Sequence, residues 1–261
     1  MRKLFCCTVL ALLATTCPTA FSQTPSPAEQ LKAARASYYT PTANGLSGFH
    51  CGMTSNWQAL MTRITGSEVT ADNPFVVYLN SVNMSVDDDV KTTGSLTWTD
   101  TAPPPANVAT AANQFRSAVV QMLGGFYQAW NTFMNGGMVP EPDKDTTVTR
   151  VENGLHLHAA TDGTVVDEDF DSHILLTEAH VVSPDLDIVM HPTYTETSDG
   201  KIISSLQAVY RAPPTAPPTD LTMTITYEQV SGFRLPATLV VDEKNVGKFE
   251  FAFSGCKVKT L

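Results

Sequence analysis

The chain has 261 residues, of which 43% are hydrophobic and 16% charged, and its 26 acidic side chains outnumber 16 basic ones for a formal charge of −10. This balance excludes nucleic acid as a partner, since binding it depends on neutralising phosphates with Lys and Arg. The length suits one large β-rich domain or two small ones.

The opening MRKLFCCTVLALLATTCPTAFSQ places two cations before an apolar run from Leu4 to Ala14, then Ala20 and Ser22 ahead of Gln23. This is the pattern of a secretory signal peptide over residues 1–22. The run is well short of the ~20 apolar residues a membrane-spanning helix needs, so an integral membrane protein is not expected. Cys17 offers a lipidation site, but Ala14, Thr15 and Thr16 before it lack the Leu and small residue such sites usually carry. Cleavage removes Arg2 and Lys3 and no acid, so the exported chain, periplasmic or extracellular, is more acidic still. Of five cysteines, Cys6, Cys7 and Cys17 leave with the signal. Cys51 and Cys256 remain, an even pair that an oxidising compartment favours as one disulfide.

Residues 23–261 show no internal repeat and no long polar linker, so a single domain is expected. Ser26, Pro27 and Glu29 form an N-cap, N1 and N3 pattern that predicts a helix from Pro27 to about Tyr38. LSGFHCGM then alternates Phe49, Cys51 and Met53 against His50 as a short strand, and Ser55 can cap a helix through Trp57, Leu60, Met61 and Ile64. From Pro74 to Thr99 the pattern is β-like, with Asp87, Asp88 and Asp89 at a solvated hairpin end. Between Ala106 and Met134, apolar residues recur at three- and four-residue steps with Arg116 as the sole charge. That predicts one long helix, or two joined at Gly124 and Gly125. It reads as a core helix on a sheet or as a lid over an apolar cavity, lined by Phe115, Val119, Met122, Leu123, Phe126, Trp130 and Phe133.

After Pro142 the chain is a succession of strands punctuated by turn signals at Glu152-Asn153-Gly154 and Ser198-Asp199-Gly200. Thr101–Asn107 and Ala212–Pro218 are Pro-rich and read as stiff loops. Roughly ten strands in meander order with two inserted groups of helices give an α+β class. The expected architecture is a large curved antiparallel sheet, an unclosed half-barrel with helices over its concave face.

Chemistry-bearing patterns are sparse. DEDFDSHILLTE, residues 167–178, approaches an EF-hand register, but its sixth position is Ser172 where that loop needs glycine, and both flanks are β-like. Asp167, Asp169 and Asp171 therefore read as the solvated mouth of a hairpin. His156 and His158 share one side of a strand, as a two-histidine metal site requires, yet Leu155 and Leu157 claim the core side and put the imidazoles in solvent. A metal-dependent hydrolase built on these histidines and nearby acids is the catalytic alternative. No Gly-x-Ser-x-Gly element, phosphate-cradling loop or dinucleotide fingerprint occurs, and no cofactor is expected.

The ending TYEQVSGFRLPATLVVDEKNVGKFEFAFSGCKV combines a strand, a turn at Ser231, Gly232, Phe233, Leu235 and Pro236, a strand, a glycine turn and an aromatic strand. It resembles the C-terminal hairpins of periplasmic lipoprotein-carrier-like proteins, the LolA-like superfamily, and the order of helices and strands is similar as well. The resemblance implies an unclosed barrel that carries an acyl chain or other apolar ligand beneath its helices. The Cys51–Cys256 pair and the Pro-rich loops depart from that pattern. The expectation is an exported, non-catalytic binder or carrier of a lipid or other hydrophobic molecule, with a ligand-free envelope interaction protein as a further alternative.

Overall fold

The computed structural model describes residues 25–89, 94–135, 139, 145–244 and 247–261, with backbone alone for 128, 129 and 131–135. The expected signal peptide, Cys17 and the side chain of Phe133 lie outside the described residues. Helix α1 spans Pro27–Arg35, a 3-10 turn follows at Pro41–Asn44, and β1 is Leu46–Ser55. Helices α2 (Trp57–Thr65) and α3 (Pro74–Ser81) precede a hairpin of β2 (Asn83–Asp89) and β3 (Ser95–Thr99). The long helix α4 runs unbroken over Ala109–Asn135. Then come β4 (Thr146–Val151), β5 (Gly154–Thr161), β6 (Thr164–Phe170), β7 (Leu176–Val182) and β8 (Asp187–Thr197). Finally β9 (Gly200–Arg211), β10 (Thr219–Val230), β11 (Phe233–Glu243) and β12 (Gly247–Thr260) complete the chain.

These strands form one antiparallel sheet in the order β3-β2-β1-β12-β11-β10-β9-β8-β7-β6-β5-β4. Its two ends do not pair, so the sheet is open, an α+β fold with a large curved sheet. The chain meanders throughout except where β1 slots in beside β12, closing the longest sequence separation in the sheet. There the Cys51–Cys256 disulfide crosses between the two strands with a Cα separation of 4.1 Å. The bulge between the His50–Lys257 and Gly52–Ser254 pairs accommodates it.

Local chemistry explains most boundaries. Ser26 Oγ accepts from Glu29 N while Glu29 Oε2 accepts from Ser26 N, the reciprocal cap expected for α1. The helix stops at Arg35, short of Tyr38, because the following segment is recruited to the sheet. Lys201 N donates to Ser37 O and Tyr39 N donates to Lys201 O. A Cβ at Gly200, where φ is +118°, would meet Tyr39 N at 2.8 Å, so this docking requires glycine. Asn56, not Ser55, caps α2 by accepting from Ala59 N, and Ser55 completes β1.

Two expectations need correction. Pro74–Ser81 is helical rather than extended: Asn73 Oδ1 accepts from Phe75 N with Pro74 at the first turn, and Val76 and Leu79 are fully buried three residues apart. Asp87–Asp89 do end β2 where it leads into its antiparallel partner β3, but that end is not solvated throughout: Asp87 faces out beside His50, while Asp88 is buried.

The glycine pair does not divide α4 into two helices. A Cβ on Gly125, an exposed position, would meet nothing within 4 Å. Gly125→Ala should therefore stabilise the protein by ~0.5–1 kcal/mol, from the lower backbone entropy lost on folding. A raised thermal midpoint checks this; an unchanged or lowered one contradicts the helical assignment at this point.

Candidate functional site

The sheet has two unlike faces. On the inner face lie all four helices and the apolar core; the outer face carries polar and charged side chains. Where α4 crosses β1 and β12, the inner face is sealed by aromatic packing. Tyr127 touches Phe49 and Phe253 with ring centroids 6.4 and 6.2 Å away, and Trp130 meets Phe49 edge-on at 5.6 Å. Phe115 is wedged edge-on against Trp57 of α2 and Phe75 of α3, each at 5.7 Å. Of the residues expected to line a cavity, Val119, Leu123, Phe126 and Trp130 are buried, while Phe115 and Met122 are half-buried. Removing four such side chains from their contacts would cost on the order of 6–12 kcal/mol at ~1.5–3 kcal/mol each. That is comparable to a whole domain's stability, so α4 stays seated as a core helix.

Across β5 to β9 the same face differs. Register aligns Leu157, Glu168, Ala179, Met190 and Ala208 in one cross-strand row. Beside it, toward the other end of the strands, runs a row of Ala159, Val166, Val181, Ile188 and Tyr210. The first row is buried, whereas every member of the second is only half-buried. Five strands at ~4.8 Å spacing make this apolar strip roughly 19 Å long.

Glu168 is the exception in the buried row. It is 6% exposed, and among the described residues its Oε2 has no hydrogen-bond partner. Burial pushes its carboxyl up to about 8. Tyr38 and Tyr194 stand nearby with rings edge-on at 5.4 Å. Their hydroxyls are spent on one peptide: Tyr38 OH accepts from Leu176 N and Tyr194 OH donates to Leu176 O. Burial chiefly, with the Glu168 charge adding to it, raises both phenols. Strand parity could have found Glu168, since Asp167 and Asp169 face outward and leave it inward with Phe170. A second polar lapse sits under the C-terminal part of α4. Trp130 Nε1 and Tyr227 OH are buried without partners. Burial raises Tyr227, and Trp130 moderates that rise without reaching hydrogen-bond geometry. Tyr127, also missed in the sequence, buries its hydroxyl unpartnered.

The outer face holds the candidate metal residues. His156 Nδ1 lies 2.8 Å from Asp169 Oδ1, and Asp167 Oδ1 sits between His158 Nδ1 at 2.7 Å and His156 Nε2 at 3.4 Å. Two strands on, Asp187 takes His180 Nε2 and Arg211 NH1, both at 2.9 Å, which lowers its carboxyl, the histidine contact most. The acids thus ladder with imidazoles along strands rather than forming a hairpin mouth. Asp171 is apart from them, accepting from His173 N and Leu175 N to shape the turn into β7. Among the described residues, no three His, Cys, Asp or Glu side chains have metal-holding geometry, and no helix is long and apolar enough to cross a membrane.

No family model matches the chain, and no curated protein matches it significantly. Among solved structures, a Vibrio parahaemolyticus domain, provisionally described as an outer membrane lipoprotein-sorting protein domain, aligns over 90% of this chain and 91% of its own. Identity is 9% and the TM-score 0.23, too low to carry function across.

The raised Glu168 carboxyl has a stability consequence. Folding favours its protonated form, so its contribution is fully present below the unfolded value near 4.5 and is lost as pH rises through about 8. Ligand-free protein should lose stability between pH 5 and pH 9, on the order of a few kcal/mol from this group. Comparing urea midpoints of wild type and Glu168→Gln at both pH values isolates it; equal pH slopes would contradict the assignment.

Proposed function

We propose that this chain is an exported, non-catalytic protein that binds or carries a lipid or similar hydrophobic molecule on the inner face of its open sheet. The observation that carries the reading is the half-exposed row Ala159, Val166, Val181, Ile188 and Tyr210, an apolar strip on the face where the core is otherwise sealed. Its length is that of a long acyl chain, and a strip one row wide falls short of the ~800 Å² per side that a stable protein interface buries. In this arrangement the sheet is the floor. Of the α4 residues expected to line the cavity, the half-buried Phe115 and Met122 remain candidates for ligand contact, while Val119, Leu123, Phe126 and Trp130 belong to the packed core.

Binding needs no lid movement in this scheme, because the half-buried row is reachable with α4 in place. Covering it gains free energy at roughly 25 cal/mol per Å² of apolar surface. The Cys51–Cys256 bridge supports export to the periplasm or the extracellular space, since disulfides persist in oxidising compartments. Excess negative charge suits a soluble carrier.

The test is a titration of residues 23–261 with a fluorescent long-chain probe, comparing wild type with the double variant Val181→Asn, Ile188→Asn. Both positions are half-buried, so the fold should persist, as circular dichroism will verify. Affinity should fall about 30-fold, the equivalent of ~2 kcal/mol of lost apolar contact. Unchanged affinity in a folded double variant would contradict the inner-face assignment.

A further inference from the structure

We infer that Glu168 is the head-group anchor of this site, and that the ligand is a single-chain amphiphile whose head is an uncharged hydroxyl, such as a long-chain alcohol or a monoacylglycerol. The inference rests on the inner-face reading and specifies its ligand.

Glu168 occupies a place where apolar packing would ordinarily put an aliphatic residue. Its cross-strand neighbours are Leu157 and Ala179, with Met190 beyond. A buried polar group without a hydrogen bond costs free energy that a Leu at the same position would not. Among the described residues, none supplies a partner to Glu168 Oε2. Tyr38 and Tyr194, the polar side chains beside it, have turned to the Leu176 peptide, and Glu168 Oε2 is left over. Ala179 next to it is one of two alanines in the row, with Ala208. The half-exposed apolar strip begins one rung away, about 7 Å along the strand. A ligand lying along the strip can therefore bring one end to the carboxyl.

Charge selects the head. The row of Glu168 and the half-exposed row beside it contain no Lys, Arg or His at any paired position from β5 to β10. In the row on the other side, the cation is Arg150 on the edge strand. It is exposed and donates to Pro25 O. A carboxylate or phosphate head would carry its charge into a buried site with no counter-charge in either row, at a desolvation cost that a hydroxyl head avoids. A hydroxyl both donates and accepts, so it satisfies the carboxyl in either protonation state.

The experiment measures binding of hexadecanol, 1-monopalmitoylglycerol and palmitate to residues 23–261 by displacement of a fluorescent long-chain probe. It is repeated with Glu168→Gln and Glu168→Leu, each checked for folding by thermal denaturation. The two hydroxyl-headed ligands should bind wild type at least tenfold more tightly than palmitate. Glu168→Gln, which keeps hydrogen-bonding capacity, should retain most of that preference. Glu168→Leu should erase it while probe affinity stays within about threefold. Palmitate binding as tightly as the alcohols, or a preference that survives Glu168→Leu, overturns the inference and leaves the inner-face reading intact. Failure of every long-chain ligand and of the probe to bind wild type overturns both.

Discussion

The pairing of β1 with β12 is the constraint on which the rest of the structure depends. Every other neighbouring pair in the sheet is consecutive in the chain; this one joins residues 205 apart at its disulfide. Without it, β1 to β3 would be a separate three-stranded sheet. With it, α4 links β3 and β4 at opposite edges of the sheet and must cross the inner face, and together with α2 and α3 it fills that half with rings. Closing so long a loop carries a chain-entropy cost that a covalent bridge offsets by about 5 kcal/mol in the simplest account. The aromatic contacts of Phe49, Tyr127, Trp130 and Phe253 converge beside the same two strands.

An asymmetry follows. The half of the sheet nearest β1 is closed by α4, while the β5 to β9 half keeps an apolar row half-exposed and a carboxyl inside the adjacent buried row. Cores are not usually built this way: a well-packed interior gains nothing from an unpartnered acid. A surface that exchanges ligands would gain from both features: in the proposed reading the half-buried row takes a chain without unfolding α4 and the acid distinguishes its head. The outer face works differently, its acids and histidines pairing across strands at the surface, where such contacts contribute little stability.

Much of this was legible in the sequence where local chemistry decides structure. The Ser26–Glu29 cap, the Ser231-Gly232 turn with both residues at positive φ, and the meander order all follow from short-range signals. The 3.6-residue spacing of α4 was readable, yet that spacing is the same for a core helix and a lid, so its role awaited the packing. Helix α3 was misread because FVVYL is rich in β-formers; Asn73-Pro74, a cap and first-turn pair, was the stronger signal and outweighed propensity. His156, His158, Asp167 and Asp169 do converge as their two-residue spacing implied, but the register pairs them with one another. Glu168 was hidden by its acidic neighbours: composition marks the whole stretch as solvated, and only the alternation of the strand turns one of three consecutive acids inward.

The most direct measurement is native mass spectrometry of the mature protein purified without detergent from an oxidising compartment, followed by solvent extraction of whatever remains bound. One apolar molecule per chain, bearing a single long chain and a hydroxyl head, is the predicted result. A bare mass from protein that also fails to take up added long-chain amphiphile would contradict the account.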